Sequence, residues 1–275
     1  MIIDTHCHAG LFKYEPIESL LFHMEQNNVD KAVLIQYMGN TDNGYMVDCM
    51  NRYPGKFAAA MCVAQDDDGT QIERWHEEGI RGIRLHATSR SVTLDPLDHW
   101  RTAAQLDLVV SAPCSPAALI SRDFIDAVER FSDTRIVIEH LAGLKRGAEW
   151  PFEEFREVLK LAQYPHLFIK LPGFGEFCDT TALLSAEMAE NQVDLSEALQ
   201  ERTHPALKEI PPVAEMTLEA FGPQRMMWGS DYPPVSSREG YTLSLELPKA
   251  YFGNLSEDEL GAIFGGTAEQ VWGLG

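Results

Sequence analysis

Basic residues are scarce. The 275-residue chain carries 22 Lys and Arg against 42 Asp and Glu, a formal net charge of −20 at pH 7. That balance argues against nucleic acid or an anionic membrane surface as a partner, since both need a basic face. Long apolar runs are missing as well. No stretch approaches the roughly 18 apolar residues of a membrane span, and no charged leader precedes an apolar segment, so the cytoplasm is the expected location. Cysteine is thin and unpatterned: Cys7, Cys49, Cys62, Cys114 and Cys178 are odd in number and show no CxxC spacing. That argues against a disulfide framework and for reduced, packed thiols. No repeat, low-complexity tract or linker interrupts the chain, which reads as a single domain over 1–275.

What is present alternates. Hydrophobic residues make up 45% of the chain, enough for a sizeable core, and they gather in eight short runs at 1–5, 31–36, 56–64, 79–87, 106–112, 135–141, 167–171 and 225–230. Most are rich in Val, Ile, Leu and Ala without strict alternation, as parallel strands buried on both faces should be. Helical patterns lie between them at 16–28, 71–78, 96–105, 116–131 and 152–163. Ile17, Leu20, Leu21 and Met24 share one helical face, Gly79 suits a helix end, and Pro residues stand near three of the helix starts. Eight βα units in this order predict a (β/α)8 TIM barrel. The interval 176–222, rich in Glu, Ala and Leu, predicts a helical insertion between strands seven and eight. It reads either as a substrate lid or as decoration for packing or homo-oligomer contact. Residues 238–252 and 256–272 predict two terminal helices covering the outside of the barrel.

Polar residues end many of these apolar runs. In a barrel of this kind chemistry gathers at the C-terminal ends of the strands. Side chains two apart on a strand share a face, so His6 and His8 point to one spot, a common beginning of a metal site. The same alternation groups Arg84 with His86, Ile136 and Ile138 with His140, and Met227 and Gly229 with Asp231, while Trp228 and Ser230 face the helices. Asp4 joins the face of the histidines one layer deeper, as support for the ligands. Arg84 and Lys170 point inward, where an unpaired cation is expensive. They either neutralise internal carboxylates such as Asp4 or hold a substrate carboxylate. His86 is a substrate contact or a further ligand. Arg238, Tyr241 and Glu176 follow strand ends on loops and can reach the pocket. His23, His76, His99, His166 and His204 fall in helical or loop patterns and are read as surface residues. Cys7 faces the helix layer, and Trp75, Trp100, Trp150 and Trp272 pack helices on the barrel.

The segments DTHCH, IVIEHLAG, FIKLPG and MMWGSDYPP resemble the motifs of strands one, six, seven and eight in the amidohydrolase superfamily. The likeness points to the branch holding pyrone-dicarboxylate lactonase, sugar-acid lactonases such as fuconolactonase, and aminocarboxymuconate semialdehyde decarboxylase. It implies a TIM barrel of the metal-dependent hydrolase type, with His6, His8, His140 and Asp231 at the metal centre. Asp231 doubles as the base that takes a proton from the attacking water, and His140 carries a proton or polarises the scissile carbonyl. Two departures matter. The fourth strand ends Arg84-Leu85-His86 and offers no lysine to bridge two metals, and the fifth ends Ser111-Ala112-Pro113-Cys114, without the histidine that several relatives carry. A single divalent ion, zinc or manganese, is the expectation, and a metal-free site like that of the pyrone lactonases is the alternative.

The chain therefore reads as a hydrolase that opens a lactone or similar cyclic ester bearing a carboxylate or hydroxyls. Asp231 and His140 are the catalytic pair, and Arg84, His86, Lys170, Arg238 and Tyr241 bind an anionic small molecule. Two other readings compete: a metal-dependent non-oxidative decarboxylase or hydratase acting on an unsaturated or aromatic acid, and a barrel that binds without catalysis.

Overall fold

The computed structural model describes residues 1–179 and 210–274. The greater part of the 176–222 insertion thus lies outside the described residues. Eight parallel strands run in sequence order, from β1 (Ile3–Cys7), β2 (Lys31–Ile35), β3 (Phe57–Met61) and β4 (Gly82–Arg84) to β5 (Val109–Ala112), β6 (Ile136–Ile138), β7 (Leu167–Pro172) and β8 (Met226–Gly229). The ring is brought together between the first and last strands. Thr5 Oγ1 donates to the Trp228 carbonyl, the Asp231 amide to the His6 carbonyl, and the His8 amide to the Tyr232 carbonyl. The architecture is a TIM barrel, as the alternating pattern predicts.

Each expected apolar run overlaps a strand, since runs without alternation suit parallel strands covered on both faces. The helix Ile17–Gln26 buries Ile17, Leu20 and Met24 against the strands, each such side chain contributing about 1.5–3 kcal/mol. The expected helix at 116–131 is two, Pro116–Leu119 and Arg122–Arg130. The second restarts where Ser121 Oγ accepts from the Phe124 amide, a cap that compensates an otherwise unpaired N–H. Helix Gly44–Arg52 has no counterpart in the sequence reading. Of the 176–222 interval, Val213–Phe221 is helical. Among the described residues, no helix is long and apolar enough to cross a membrane.

The terminal region corrects the sequence reading. Gly240–Tyr251 is the first of the two expected helices. The second is broken into Glu257–Gly261, a π turn at Ala262–Gly266, and Thr267–Trp272. Its last part does not cover the outside. Ala268, Val271, Trp272 and Leu274 pack into one cluster with Ile3, Val33, Ile35, Ala58, Ala60, Val109, Val137 and Met227. These are alternate, inward-facing strand residues, so the chain end forms the floor of the barrel. Two further corrections concern burial. His99 is buried and its Nε2 lies 2.8 Å from the Asp67 carbonyl, whereas Trp150 is exposed.

Candidate active site

The site is built where the strands end. Gly229 of β8 makes room for His6: a Cβ there would lie 2.8 Å from His6 Cβ and 2.9 Å from its amide nitrogen. Beyond Gly229 the chain turns sharply and Asp231 takes a left-handed φ of 58°. His140, Leu141 and Ala142 after β6 are also left-handed, at 47°, 45° and 63°. For residues with a Cβ this costs about 1–3 kcal/mol each, and it aims His140 over the barrel mouth. The His6 and His140 ring centroids lie 4.2 Å apart, and those of His6 and His8 lie 5.0 Å apart.

Asp231 faces these imidazoles. Its Oδ1 lies 3.5 Å from His8 Nε2 and 3.9 Å from His6 Nε2, and its Oδ2 accepts from Arg238 Nη1 at 3.1 Å. The same Arg238 nitrogen reaches Glu176 Oε2 at 2.7 Å. Burial opposes the charge on Asp231, but the hydrogen bond with His8 and the nearby His140, His8 and Arg238 hold its carboxyl well below the usual carboxylate range. Burial, reinforced for His6 by Lys170 and the neighbouring histidines, pushes the imidazoles of His6 and His140 below their usual range. Both are neutral bases at pH 7. His6 Nε2 and His140 Nδ1 are buried without a hydrogen-bond partner among the described residues.

Beneath His6 lies a layer of buried charge. Lys170 is fully buried; its Nζ lies 3.1 Å from His6 Nδ1 and 3.2 Å from Ser111 Oγ. Glu139 accepts both arms of the Arg84 fork at 3.0 and 2.7 Å and a third bond from Ser111 Oγ at 2.7 Å. Burial raises the Glu139 carboxyl, yet Arg84 and Lys170 overcome it and hold the group down at about 2. Burial likewise pulls the Lys170 ammonium down to about 8, against the opposing pull of Glu139.

His6, His8, His140 and Asp231 converge as the motifs imply. Other expected site residues are placed differently. Tyr241 is buried behind the site and its hydroxyl donates to Asp4 Oδ2 at 3.0 Å, so it does not face the mouth. Asp4 leaves the face of the histidines because the β1–β2 register shifts between Asp4 and Cys7. Its carboxylate accepts instead from the Ser230 amide and hydroxyl. Lys170 lies under His6 rather than at the mouth, and the Arg84 fork is committed to Glu139. His86 lines a cavity of about 410 Å³ beyond the ends of β2–β4 with Arg84, Arg90, Thr41, Thr88 and Cys62. Its Nδ1 accepts from the Thr88 amide at 3.3 Å, which leaves Nε2–H as a donor.

Two residues escaped the sequence reading. Glu139 faces inward with Val137, while Ile136 and Ile138 pack outward. Strand alternation could have found it, had His140 not been assumed to continue the strand. Tyr14, whose ring stacks on His8 at 4.7 Å and 11°, lies in a loop whose course no local pattern specifies.

The donor set fits a divalent ion. His6, His8 and Asp231 offer three ligand atoms within 4.8 Å of one another. His8 Nδ1 lies 2.6 Å from the Ile35 carbonyl, a pure acceptor, so Nδ1 carries a proton and Nε2 is the atom that either donates to Asp231 or, without its proton, would offer its lone pair to an ion. His8 Nε2 and the Asp231 carboxylate face each other at 3.5 Å, a spacing that a proton or a cation can bridge. His6 can ligate through Nε2 only when its Nδ1 holds the proton, with Lys170 accepting as the neutral amine.

A family model described as amidohydrolase matches residues 3–274. The 4-sulfomuconolactone hydrolase of Hydrogenophaga intermedia is 23% identical over 79% of this chain and 65% of its own length. The 2-pyrone-4,6-dicarboxylate hydrolase of Comamonas testosteroni is 22% identical over 84% of this chain and 76% of its own. The chain thus spans about two-thirds and three-quarters of the length of these relatives. Among solved structures, a probable 2-pyrone-4,6-dicarboxylic acid hydrolase from Acinetobacter baumannii with citric acid bound superposes with a TM-score of 0.77 at 18% identity, over 99% of each chain. An amidohydrolase from Burkholderia multivorans with bound zinc gives 0.75 at 21% identity over 100% of each chain.

Proposed function

The chain belongs to the amidohydrolase family, and from that premise we propose that it is a lactonase, a hydrolase that opens a cyclic ester on a small anionic acid. One observation carries the reading: an ionised Asp231 and neutral imidazoles converge on one point, where two imidazole nitrogens have no hydrogen-bond partner among the described residues. The names of the sulfomuconolactone and pyrone-dicarboxylate relatives support a lactone as the substrate.

In this mechanism Asp231, aimed by Arg238, accepts a proton from water as its oxygen attacks the lactone carbonyl. The ring C–O bond then breaks, the proton passes to the leaving alkoxide, and the product is a hydroxy acid. His140, held neutral by burial, stands beside His6 where it can hold or move a proton at Nδ1. A divalent ion, zinc or manganese, would be held by His6 Nε2, His8 Nε2 and Asp231, and would supply Lewis-acid polarisation of the carbonyl. The zinc bound in the Burkholderia multivorans relative supports zinc over manganese.

The acid group of the substrate is assigned to the cavity at His86. Its lining has Arg84, Arg90, His86 and His99 and, among the described residues, no carboxylate, although Arg84 is paired with Glu139 and Arg90 with Asp123. An anionic ligand can therefore be held despite the acidic surface. The experiment is a panel of lactones bearing carboxylates, sulfonates or hydroxyls, scored by acid release, beside muconate-type and aromatic acids scored by carbon dioxide release. Acid release from an anionic lactone is expected. Carbon dioxide release without lactone opening would replace this reading with a decarboxylase.

A further inference from the structure

The floor of the barrel and the candidate active site meet at one side chain. Lys170 Nζ lies over the Trp272 ring, 5.6 Å from its centroid. An ammonium has three N–H donors. Two face His6 Nδ1 and Ser111 Oγ, and the third has the indole face as its acceptor. His6, Lys170 and Trp272 thus form a row of contacts from the site to the floor cluster with every member buried.

Three further observations show that the indole is fitted to this place. Gly82 of β4 leaves room for it, since a Cβ there would lie 2.6 Å from Trp272 Cζ3. The backbone on either side is gripped by cations: Arg135 Nη1 donates to the Val271 carbonyl at 2.8 Å and Lys31 Nζ to the Leu274 carbonyl at 2.5 Å. The Trp272 Nε1 atom is buried with no hydrogen-bond partner among the described residues. A floor needed only for packing would avoid that orphan donor by using Leu or Met. The indole is retained in spite of it, and what it adds over an aliphatic plug is a π face beneath a buried ammonium.

We propose that Trp272 is a positioning residue: packed under the Lys170 side chain, it holds Nζ against His6 in either protonation state and so fixes the ring that faces Asp231. The inference rests on the lactonase reading only for its kinetic arm. W272L is expected to lower kcat by about tenfold, the scale of one buried cation–π contact, with KM within about twofold. W272F, which restores a π face, is expected to recover most of the loss. W272M replaces W272L if the latter does not fold. The second arm needs no turnover. Protein labelled with 5-fluorotryptophan has five resonances, one for each Trp, and W272F identifies that of Trp272. K170M is expected to shift this resonance more than the other four. A folded W272L or W272M with wild-type kcat, a W272F as impaired as W272L, or a Trp272 resonance indifferent to K170M each overturns the proposal. If no lactone is turned over by the wild type, the functional reading fails and the fluorine arm still decides whether the contact exists.

Discussion

Lys170 and His6 share a proton-bearing contact: Lys170 Nζ lies 3.1 Å from His6 Nδ1, with both residues fully buried. While Lys170 is an ammonium it donates, and neutral His6 then carries its own proton on Nε2, the atom facing Asp231. With Lys170 as the neutral amine the pattern reverses and the Nε2 lone pair faces Asp231. Metal loading and the protonation of this pair are therefore linked.

The link has a measurable sign. The Lys170 ammonium is pulled down to about 8, so below that pH a proton must leave before His6 can ligate. Zinc affinity is expected to rise with pH up to about 8, with release of about one proton per ion. Calorimetry in two buffers of different ionisation enthalpy reads the proton count. Buffer-independent heats would show that Lys170 is not coupled to the site, and H8A should abolish uptake.

Asp231→Asn removes the proposed base but keeps its shape. Turnover of the preferred lactone is expected to fall at least about 100-fold, with the melting temperature little changed. Near-wild-type kcat in steady-state assays would take Asp231 out of the mechanism.

Glu139→Gln breaks a buried ion pair while leaving Arg84 and Lys170 buried. Stability should fall by about 3–5 kcal/mol, measured by urea unfolding at pH 7. The native carboxyl is held at about 2, below its ordinary value near 4.3. Its contribution is therefore present above that ordinary value and is lost as pH falls towards 2. The wild type should lose stability over this window more steeply than E139Q; parallel profiles would place the acid sensitivity elsewhere.

His86 and Tyr241 separate the cavity from the scaffold. H86A is expected to raise KM for an anionic lactone by about tenfold, the value of one charge-assisted hydrogen bond, and to change KM little for a neutral one. Y241F should leave both KM values alone and lower stability by about 1–2 kcal/mol, because Asp4 loses a buried donor. A KM change in Y241F would show that the Asp4 cluster reaches the substrate.

The strands were legible because burial on both faces leaves a compositional mark. The ligand histidines were legible because residues two apart on a strand share a face. Where the backbone leaves ideal geometry the sequence misled. The register shift in β1 turned Asp4 away from the histidines, and the left-handed turn at His140 let both Glu139 and His140 face the site, although alternation allows only one of them. Trp272 failed for a different reason. An amphipathic helix at the end of the chain has the same pattern whether it lies on the outside of a barrel or beneath it, and only the tertiary path distinguishes the two.

That path bears on how the protein is made. Ile3 and Trp272 belong to one buried cluster, so the barrel is sealed by partners drawn from opposite ends of the polypeptide. Contacts of such long sequence separation form slowly, after most of the loop-closure entropy has been lost. A growing chain that has released its first four strands would therefore hold them over an open base, with apolar surface that must be kept from neighbouring chains until the segment around Trp272 has been made.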